Sequence, residues 1–229
     1  MKKINICIAG LGNVGSALIK SIEDNSDYIK NKTSLEVNII GISAKSKVKK
    51  RDINIKKYKW FDDPRDMTKL VECDIIVELI GEERGVSYEL INLALKNSKH
   101  VVTGNKALIA NNGKDLLRLA ERNNLSLSFE AAVAGGIPII KTIKNDINLN
   151  KINKISGILN GTTNYILTKM EEDNLSFEEV LRIAKEKGFT SDNEAKLDIG
   201  GYDAAHKLTI LSTLSFGSNL NFNQNYVEG

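Results

Sequence analysis

Two ionisable residues four positions apart, Asp203 and Lys207, are the first candidates for chemistry in this chain. They follow the adjacent glycines Gly200 and Gly201, and an apolar run after them predicts a helix that starts near Asp203. Residues four apart lie on the same face of a helix, so the two side chains are expected to be neighbours. They form either an ordinary surface ion pair or, in apolar surroundings, an acid–base group. The surrounding elements decide between these alternatives.

Length and composition are those of a soluble protein with one large domain or two small ones. The 229 residues include 32 basic and 29 acidic side chains, a net charge of +3 that gives no indication of nucleic-acid binding. The only cysteines, Cys7 and Cys73, lie in apolar runs, so we expect a reducing compartment rather than a disulfide or metal framework. The apolar start is too short for a signal peptide or a membrane span. We therefore expect a cytoplasmic protein with no membrane partner.

A glycine-rich turn follows the first predicted strand, residues 4–9, and precedes a predicted helix. Strand, Gly-x-Gly-x-x-Gly and helix in this order form the dinucleotide-binding fingerprint. The first glycine allows a tight turn, the second lets the backbone approach the pyrophosphate, and the third lets helix and strand pack closely. The sequence therefore predicts cofactor contacts from five residues of this turn: Gly10, Gly12, Asn13, Val14 and Gly15.

The end of the second predicted strand, residues 36–42, indicates which cofactor is bound. An NAD site usually has an Asp or Glu here, whereas this chain has Ser43 followed by a basic loop that begins at Lys45. The loop continues with Lys47, Lys49, Lys50 and Arg51. Such a cluster favours the 2′-phosphate of NADP(H). NAD(H) is the alternative, with the lysines forming a solvated loop.

The remaining first part of the chain alternates strands and helices. Strands are predicted at residues 73–81, 99–103 and 125–129, and helices at 86–95 and from 104 to 123. This alternation is typical of a Rossmann-type, doubly wound parallel sheet, whose ligands lie at the carboxyl ends of the strands. Gly81, Lys106 and Glu130 fall at such ends, and Thr103, which closes the fourth strand, is expected to contact the cofactor.

The character of the chain changes near residue 151. Residues 152–159 are alternately apolar, residues 161–164 are predicted as a polar loop that enters a helix, and Ser176 with Glu179 predicts a capping box before a helix over 177–187. We therefore predict a dinucleotide-binding domain over residues 1–146. Residues 147–229 are predicted to form an incomplete α+β domain for substrate binding and dimerisation.

Several runs of residues resemble the homoserine dehydrogenase family. They are residues 78–81, 100–110, 130–140 and 157–167, together with the Gly-x-Asp-Ala-Ala-x-Lys-Leu run that contains Asp203 and Lys207. The resemblance follows the family order from residue 4 to residue 229. It implies an α/β enzyme that interconverts L-aspartate 4-semialdehyde and L-homoserine with NAD(P), in the branch toward threonine and methionine, and that forms a homodimer.

The resemblance also implies roles for individual residues. Lys207 is expected to be the general acid in reduction and the general base in oxidation, and Lys106 to bridge cofactor and substrate. Asp203 is expected to hold the substrate's amino group. Gly161 and Thr162 are expected to supply donors near the substrate's polar end.

A monovalent cation such as Na⁺ is also implied by the resemblance. Its expected ligands are the Glu130 side chain and the carbonyls of Val133, Gly135 and Ile137. Oxygen-only ligation on a glycine-rich turn suits a hard ion. The alternative is a buried glutamate that accepts hydrogen bonds from loop amides.

Two departures from the family pattern keep other interpretations open. The family's Gly-Tyr-Ala-Glu-Ala-Asp-Pro run is replaced by a different sequence over residues 188–195. If positions are counted back from Asp203, Asp192 occupies the family's acidic substrate-binding position. If they are counted forward from Gly188, Ser191 occupies it. The family also normally continues past residue 229. The alternatives are therefore a dehydrogenase for a different amino-acid-derived alcohol and a truncated, catalytically impaired nucleotide-binding relative.

Overall fold

The computed structural model describes residues 1–217 and 222–229, which form two compact units, Met1–Gly136 and Ile137–Gly229. The predicted boundary at residue 146 falls inside the second unit, at the end of the π-helical turn Thr142–Asp146.

The first unit contains one six-stranded sheet in which every neighbouring pair of strands is parallel. Its strands are β1 (Lys2–Ala9), β2 (Leu35–Ser43), β3 (Lys59–Phe61), β4 (Ile75–Glu78), β5 (His100–Thr103) and β6 (Leu127–Ser128). The order is β3-β2-β1-β4-β5-β6, so the winding direction reverses between β1 and β4. Ligands of such sheets bind at this switch point, outside the carboxyl ends of the strands. The predicted doubly wound parallel sheet is confirmed.

Helices connect the strands of this unit. They are α1 (Asn13–Asp24), α2 (Ser26–Thr33), α3 (Val86–Lys96) and α4 (Lys106–Arg122), with short 3₁₀ turns at Ile55–Lys57, Pro64–Lys69 and Glu130–Ala132. The strand–turn–helix order of the glycine fingerprint is confirmed by β1 and α1. The edge strand β3 and helix α2 were not predicted from the sequence, and β6 is shorter than predicted.

The central strands are apolar because both faces of the sheet are covered. Ile8 on β1, Ile42 on β2 and Ile76 on β4 have no exposed surface, and Ile19 of α1 packs into the same buried layer as Ile8 and Ile42. Strands buried on both faces are rich in β-branched residues rather than alternating in polarity. This core fixes the positions of the strand ends, and therefore of the loops that carry polar residues.

The second unit is helical in its described part. Its helices are α5 (Ile139–Lys141), α6 (Gly161–Asp173), α7 (Phe177–Glu186), α8 (Asp192–Ile199) and α9 (Tyr202–Phe216), and a 3₁₀ turn covers Phe222–Gln224. The helix predicted to start near Asp203 is confirmed as α9. The predicted capping box is confirmed as well, because Ser176 and Glu179 bond reciprocally at the start of α7.

In the second unit, one expected loop and one strand-like sequence pattern differ from the structure. Residues 161–164, predicted as a loop, form the first turn of α6, because the Asn160 side chain caps that helix by accepting a hydrogen bond from the amide of Thr163. Residues 151–160 are in neither a helix nor a strand. A strand requires a hydrogen-bonded partner, and no strand is formed by the described residues of this unit.

The adjacent glycines before α9 allow a close approach of the chain. Gly201 has a positive φ of 74°, and a Cβ atom there would lie 3.0 Å from the carbonyl oxygen of Glu228. A Cβ atom on Gly229 would lie 2.6 Å from the carbonyl oxygen of Ile199. Side chains at these glycines would therefore push residues 228–229 away from the turn that starts α9.

Within ranges 1–217 and 222–229, no helix is long and apolar enough to cross a membrane.

Candidate cofactor pocket and lysine–aspartate site

The glycine turn after β1 is closed at its first and third glycines and open at its second. Gly10 has a φ of 98°, and a Cβ atom there would lie 2.3 Å from the carbonyl oxygen of Leu79. A Cβ atom on Gly15 would lie 1.9 Å from the carbonyl oxygen of Gly10. Around Gly12, by contrast, no heavy atom of the described chain other than those of Gly12 and its two chain neighbours lies within 4 Å of the Cβ position. The backbone at Gly12 is therefore accessible to a ligand, next to the helix N-terminus that attracts a phosphate.

A cavity of about 680 Å³ opens beside this turn. This volume is typical of a pocket for a small molecule or cofactor. Asn13 and Val14, the first residues of α1, are exposed beyond the turn. The cavity is lined by Gly10, Leu11, Gly12, Ser43, Ala44, Lys45, Ser46, Lys49, Arg51, Asp62, Pro64, Leu79, Ile80, Glu82 and Val86.

The loop after β2 supplies the basic wall of the cavity. Ser43 is buried at the end of β2, whereas Lys45 and Lys49 are exposed to solvent. The guanidinium of Arg51 donates to three backbone carbonyls, those of Leu11 at 3.0 Å, Ser46 at 2.8 Å and Lys49 at 2.9 Å. Arg51 therefore ties the lysine loop to the glycine turn. Sequence reasoning counted Arg51 only as one charge in the cluster.

A fully buried carboxylate, Glu78, lies at the end of β4. Its Oε1 accepts hydrogen bonds from the amides of Ile80 and Gly81 at 2.9 and 3.2 Å and from the Ser87 hydroxyl at 3.0 Å. Its Oε2 accepts a hydrogen bond from the Thr103 hydroxyl at 2.6 Å. The two carboxylate oxygens of Glu78 thus accept four hydrogen bonds, which offset the free-energy cost of burying this polar group. Glu78 thus fixes the loop that follows β4 and joins it to the end of β5.

The end of β5 continues this network toward Lys106. The Thr103 hydroxyl also accepts a hydrogen bond from the amide of Asn105 at 3.0 Å. The Asn105 side chain donates to the carbonyl of Glu82 at 2.7 Å and caps α4 by accepting from the amide of Leu108 at 3.1 Å. Lys106 is the first residue of α4. The hydroxyl of Thr103 is shared between protein partners, so Thr103 organises the loop that presents Lys106.

The turn predicted to hold a cation is sharply bent. Glu130 begins the 3₁₀ turn, Val133 is buried, and Ala134 and Gly135 have consecutive positive φ angles of 60° and 57°. Ile137 is the first residue of the second unit. A carboxylate and carbonyl oxygens are the ligands that hard cations take. No group of three or more His, Cys, Asp or Glu side chains that could hold a metal occurs among the described residues.

In the second unit, the Lys207 ammonium group lies 2.6 Å from Asp203 Oδ2 and 2.7 Å from the carbonyl oxygen of Leu159. The side chains of Lys207 and Asp203 are only 18% and 5% exposed, so they do not form an ordinary surface ion pair. An ammonium group has three hydrogens to donate. In the part of the chain that the structure describes, two of them have partners, so the third can donate to another group.

Asn160 connects this pair to a second carboxylate. Its Nδ2 donates to Asp203 Oδ2 at 2.8 Å and to Asp198 Oδ1 at 2.7 Å. The other oxygen of Asp198 accepts a hydrogen bond from the Thr190 hydroxyl at 3.0 Å. Sequence reasoning missed Asn160 and Asp198 as site residues. The only signal was their position, Asn160 inside a polar run and Asp198 just before the double glycine.

The residues predicted to contact substrate at the start of α6 are engaged in other ways. The buried Thr162 donates its hydroxyl hydrogen to the carbonyl of Phe189 at 3.3 Å, and Thr163 donates its own to Asn160 Oδ1 at 2.9 Å. Gly161 is exposed at the first position of the helix. The backbone amides of a first helical turn lack intrahelical partners, so they are the donors this segment offers.

The predicted acid Asp192 lies at the surface. Its side chain is 88% exposed and pairs with Lys185 at 2.7 Å, and the hydrogen bond from Lys185 holds the pKa of Asp192 below its ordinary value. Asp192 is the first residue of α8, whose capping box joins Ser191 and Glu194. The structure brings Asp198, and not Asp192, into hydrogen-bonded contact with the group around Asp203.

Comparison with known protein families gives matches along most of the chain. Residues 10–130 match the family described as homoserine dehydrogenase, NAD binding domain, and residues 138–229 match the family described as homoserine dehydrogenase. The chain is 40% identical to a homoserine dehydrogenase of Neisseria gonorrhoeae and 38% identical to one of Bacillus subtilis. In both cases the match covers 100% of this chain and 52% of the relative. The chain thus spans about half the length of the curated relatives it matches.

Solved structures give the same result. The crystal structure of a homoserine dehydrogenase from Thiobacillus denitrificans superposes with a TM-score of 0.91 at 36% identity, covering 100% of this chain and 52% of that one. A homoserine dehydrogenase from S. aureus gives a TM-score of 0.81 at 41% identity, and the match covers 100% of this chain and 57% of that one. A hyperthermophilic archaeal homoserine dehydrogenase in complex with NADPH gives a TM-score of 0.80 at 30% identity, and the match covers 94% of this chain and 70% of that one.

Proposed function

The chain belongs to the homoserine dehydrogenase family, and we propose that it serves the NAD(P)-dependent interconversion of L-aspartate 4-semialdehyde and L-homoserine. The observation that carries this proposal is the largely buried lysine–aspartate pair of α9, in which Lys207 Nζ lies 2.6 Å from Asp203 Oδ2. Reduction of an aldehyde creates an alkoxide, which requires a proton donor held in place.

In the proposed mechanism, Lys207 donates a proton from Nζ to the developing alkoxide during reduction and takes it back during oxidation. Asp203 and the Leu159 carbonyl hold the amine by their hydrogen bonds. The negative charge of Asp203 also attracts the ammonium group of the amino-acid substrate. Both tasks are compatible, because a carboxylate accepts more than one hydrogen bond.

The other residues singled out by the family resemblance are proposed to position the substrate. We assign to Lys106 the orientation of the substrate carbonyl, and to the amides of Gly161 and Thr162 the binding of its polar end. Asp192 is retained as the acid at the family's substrate-binding position. A substrate contact by Asp192 requires that its side chain leave Lys185, its partner in the structure.

An NAD(P)-binding domain is present in the first unit, and bound NADP(H) would supply the hydride. We propose that the chain prefers NADP(H) to NAD(H), because the cavity wall carries Lys45 and Lys49, and β2 ends in Ser43 where NAD sites usually have an acid. The open backbone at Gly12 suits the pyrophosphate. Asp62 and Glu82 also line the cavity, so the phosphate would bind on its lysine side.

We further propose that Glu130 and the carbonyls of Val133, Gly135 and Ile137 hold a monovalent cation such as Na⁺. Support comes from the oxygen-only donor set and from the two consecutive left-handed residues that bend the turn. Glu130→Ala should abolish any activation by Na⁺ salts relative to bulky organic cations. We also propose that the protein is cytoplasmic and forms a homodimer. The molar mass from light scattering tests the homodimer.

The function is tested by following nicotinamide absorbance with L-homoserine and with a panel of other amino-acid-derived alcohols. We expect turnover of homoserine. The second candidate, a dehydrogenase for a different amino-acid-derived alcohol, is favoured by the Ser191–Glu194 capping box, which occupies the turn where the family has its acidic run. Turnover of another alcohol without turnover of homoserine would establish it. Calorimetric binding of NADPH without any turnover would indicate a nucleotide-binding relative that does not catalyse.

A further inference from the structure

The side chain of Asn160 has all of its hydrogen-bonding positions occupied. Its Oδ1 accepts from the amide of Thr163 at 2.8 Å and from the hydroxyl of Thr163 at 2.9 Å. Its Nδ2 donates to Asp198 at 2.7 Å and to Asp203 at 2.8 Å. A side-chain amide has two acceptor positions and two donor hydrogens, so none is left over. Asn160 is only 7% exposed.

This arrangement permits only one orientation of the amide. Rotation by half a turn would direct the Oδ1 atom at two carboxylates and the Nδ2 hydrogens at the Thr163 amide. Both contacts of the rotated amide would be repulsive, and the first would involve buried charge. The backbone holds the residue as well, because Asn160 is the N-cap of α6. The donor group of Asn160 is therefore held firmly between the two acids.

The amide hydrogens separate two like charges. Asp198 on α8 and Asp203 on α9 each direct an oxygen at the same nitrogen atom. Carboxylates that share a site repel one another unless a proton or a donor lies between them. Asp203 Oδ2 accepts from Asn160 and from Lys207, so a neutral donor and a cationic donor fix the same oxygen atom.

We propose that Asn160 is a positioning residue for the lysine–aspartate site, which holds the Asp203 carboxylate against Lys207 and keeps it apart from Asp198. This inference rests on the catalytic role of Lys207 proposed above. Asn160 acts through Asp203, because its hydrogen bonds reach the carboxylates and not the lysine. Its effect should therefore fall on the catalytic step and leave cofactor binding unchanged.

Two substitutions separate positioning from helix capping. Asp and Ser are both good N-cap residues, so Asn160→Asp and Asn160→Ser keep α6 capped. Asn160→Asp also replaces the donor by a third carboxylate, whereas Asn160→Ser removes the donor without adding charge. Asn164→Asp is the matched control, because it adds the same charge in the first turns of α6 at an exposed side chain.

The first measurement is steady-state kinetics of the full chain with NADPH. A misplaced catalytic group costs one to two orders of magnitude, so we expect kcat to fall at least about tenfold in both Asn160 variants. The KM for NADPH should stay within about twofold of the wild-type value, since the cofactor contacts lie elsewhere in the chain. Asn164→Asp should leave both constants unchanged. A wild-type kcat in a folded Asn160 variant overturns the proposal, as does loss of folding in both variants.

The second measurement does not require turnover. Acetic anhydride at low stoichiometry acetylates amines only in their neutral form, and peptide mass spectrometry compares Lys207 with the exposed Lys151 of the same unit. In Asn160→Ser the Asp203 carboxylate is no longer held against the Lys207 amine, so the acetylation of Lys207 should rise at least about threefold relative to Lys151. Equal rates in wild type and Asn160→Ser contradict the proposal. If wild type turns over no homoserine but the acetylation changes as expected, the proposed function fails and the positioning role of Asn160 stands.

Discussion

The Lys207 ammonium group and the Asp203 carboxylate are joined by a hydrogen bond of 2.6 Å, one turn apart on α9. The carbonyl oxygen of Leu159 lies 2.7 Å from the same nitrogen atom and comes from the chain just before α6. A neighbouring pair on one helix would by itself contribute a few tenths of a kcal/mol, roughly 0.2–0.5. The burial of this pair and its contacts with another segment instead make it a defined site.

Substitution of the buried acid Glu78 should destabilise the first unit. In Glu78→Gln the amide nitrogen replaces one carboxylate oxygen, so at least one of the four donors on Glu78 loses its acceptor. A buried donor without a partner costs about 1–3 kcal/mol. Urea unfolding should therefore show a lower midpoint for Glu78→Gln. Glu83→Gln, at an exposed acid in the following loop, should unfold like wild type, and equal midpoints for all three proteins would refute the role of Glu78.

The basic wall of the cavity should determine the cofactor preference. Removing two cations from a phosphate site weakens charge-assisted hydrogen bonds that NADH does not make. Lys45→Ala combined with Lys49→Ala should raise the KM for NADPH at least about tenfold and leave the KM for NADH within about twofold. Lys50→Ala is the control, because Lys50 lies in the same loop but does not line the cavity. An equal loss for both cofactors would show that the lysines do not recognise the 2′-phosphate.

A salt bridge in the first unit should make stability depend on pH. Glu23 on α1 accepts hydrogen bonds from Lys57 at 2.6 Å and from the Tyr58 hydroxyl at 2.7 Å, and these bonds lower the pKa of Glu23. Burial and the hydrogen bond to Glu23 raise the pKa of Tyr58. Because the pKa of Glu23 is lower in the folded state, its stabilisation is present above the unfolded value of 4.5 and is lost as the pH falls through the folded value.

Glu23→Gln should therefore lower the thermal unfolding midpoint at pH 7. The free energy of unfolding should fall by about 0.5 kcal/mol, as is typical of a partly exposed ion pair. The difference from wild type should shrink as the pH falls through the lowered pKa of Glu23, because the wild-type carboxyl then takes up a proton. Glu171→Gln, at an exposed acid on α6, serves as the control. A difference that persists unchanged at low pH would mean that charge is not the cause.

The first unit could be predicted well because its signals are local. Alternating apolar strands and helices predicted the parallel sheet, and the glycine spacing predicted the turn between β1 and α1. The edge strand β3 has three residues, Lys59, Trp60 and Phe61, too few to show a period. The cap of α6 is harder to predict, because the glycine after Asn160 favours a loop, although Asn is a preferred N-cap residue.

The site could be predicted only where its residues are close in sequence. Asp203 and Lys207 are separated by one helical turn, so their contact follows from helix geometry. Asn160 contacts Asp203 across 43 positions, and Thr103 contacts Glu78 across 25. Such contacts depend on the packing of whole elements. The exposure of Asp192 was not predictable for the same reason, since counting positions gives no information on burial.

The most direct test of the proposed mechanism is Lys207→Ala, measured by turnover and by calorimetric titration with NADPH. Loss of the proton donor should lower kcat at least about a thousandfold, since general acid–base catalysis contributes factors of roughly 10²–10⁴. The affinity for NADPH should stay within about twofold of wild type, because the cofactor cavity is lined by residues of the first unit. Retained hydride transfer in Lys207→Ala would contradict the account, and so would a loss of turnover caused by loss of NADPH binding.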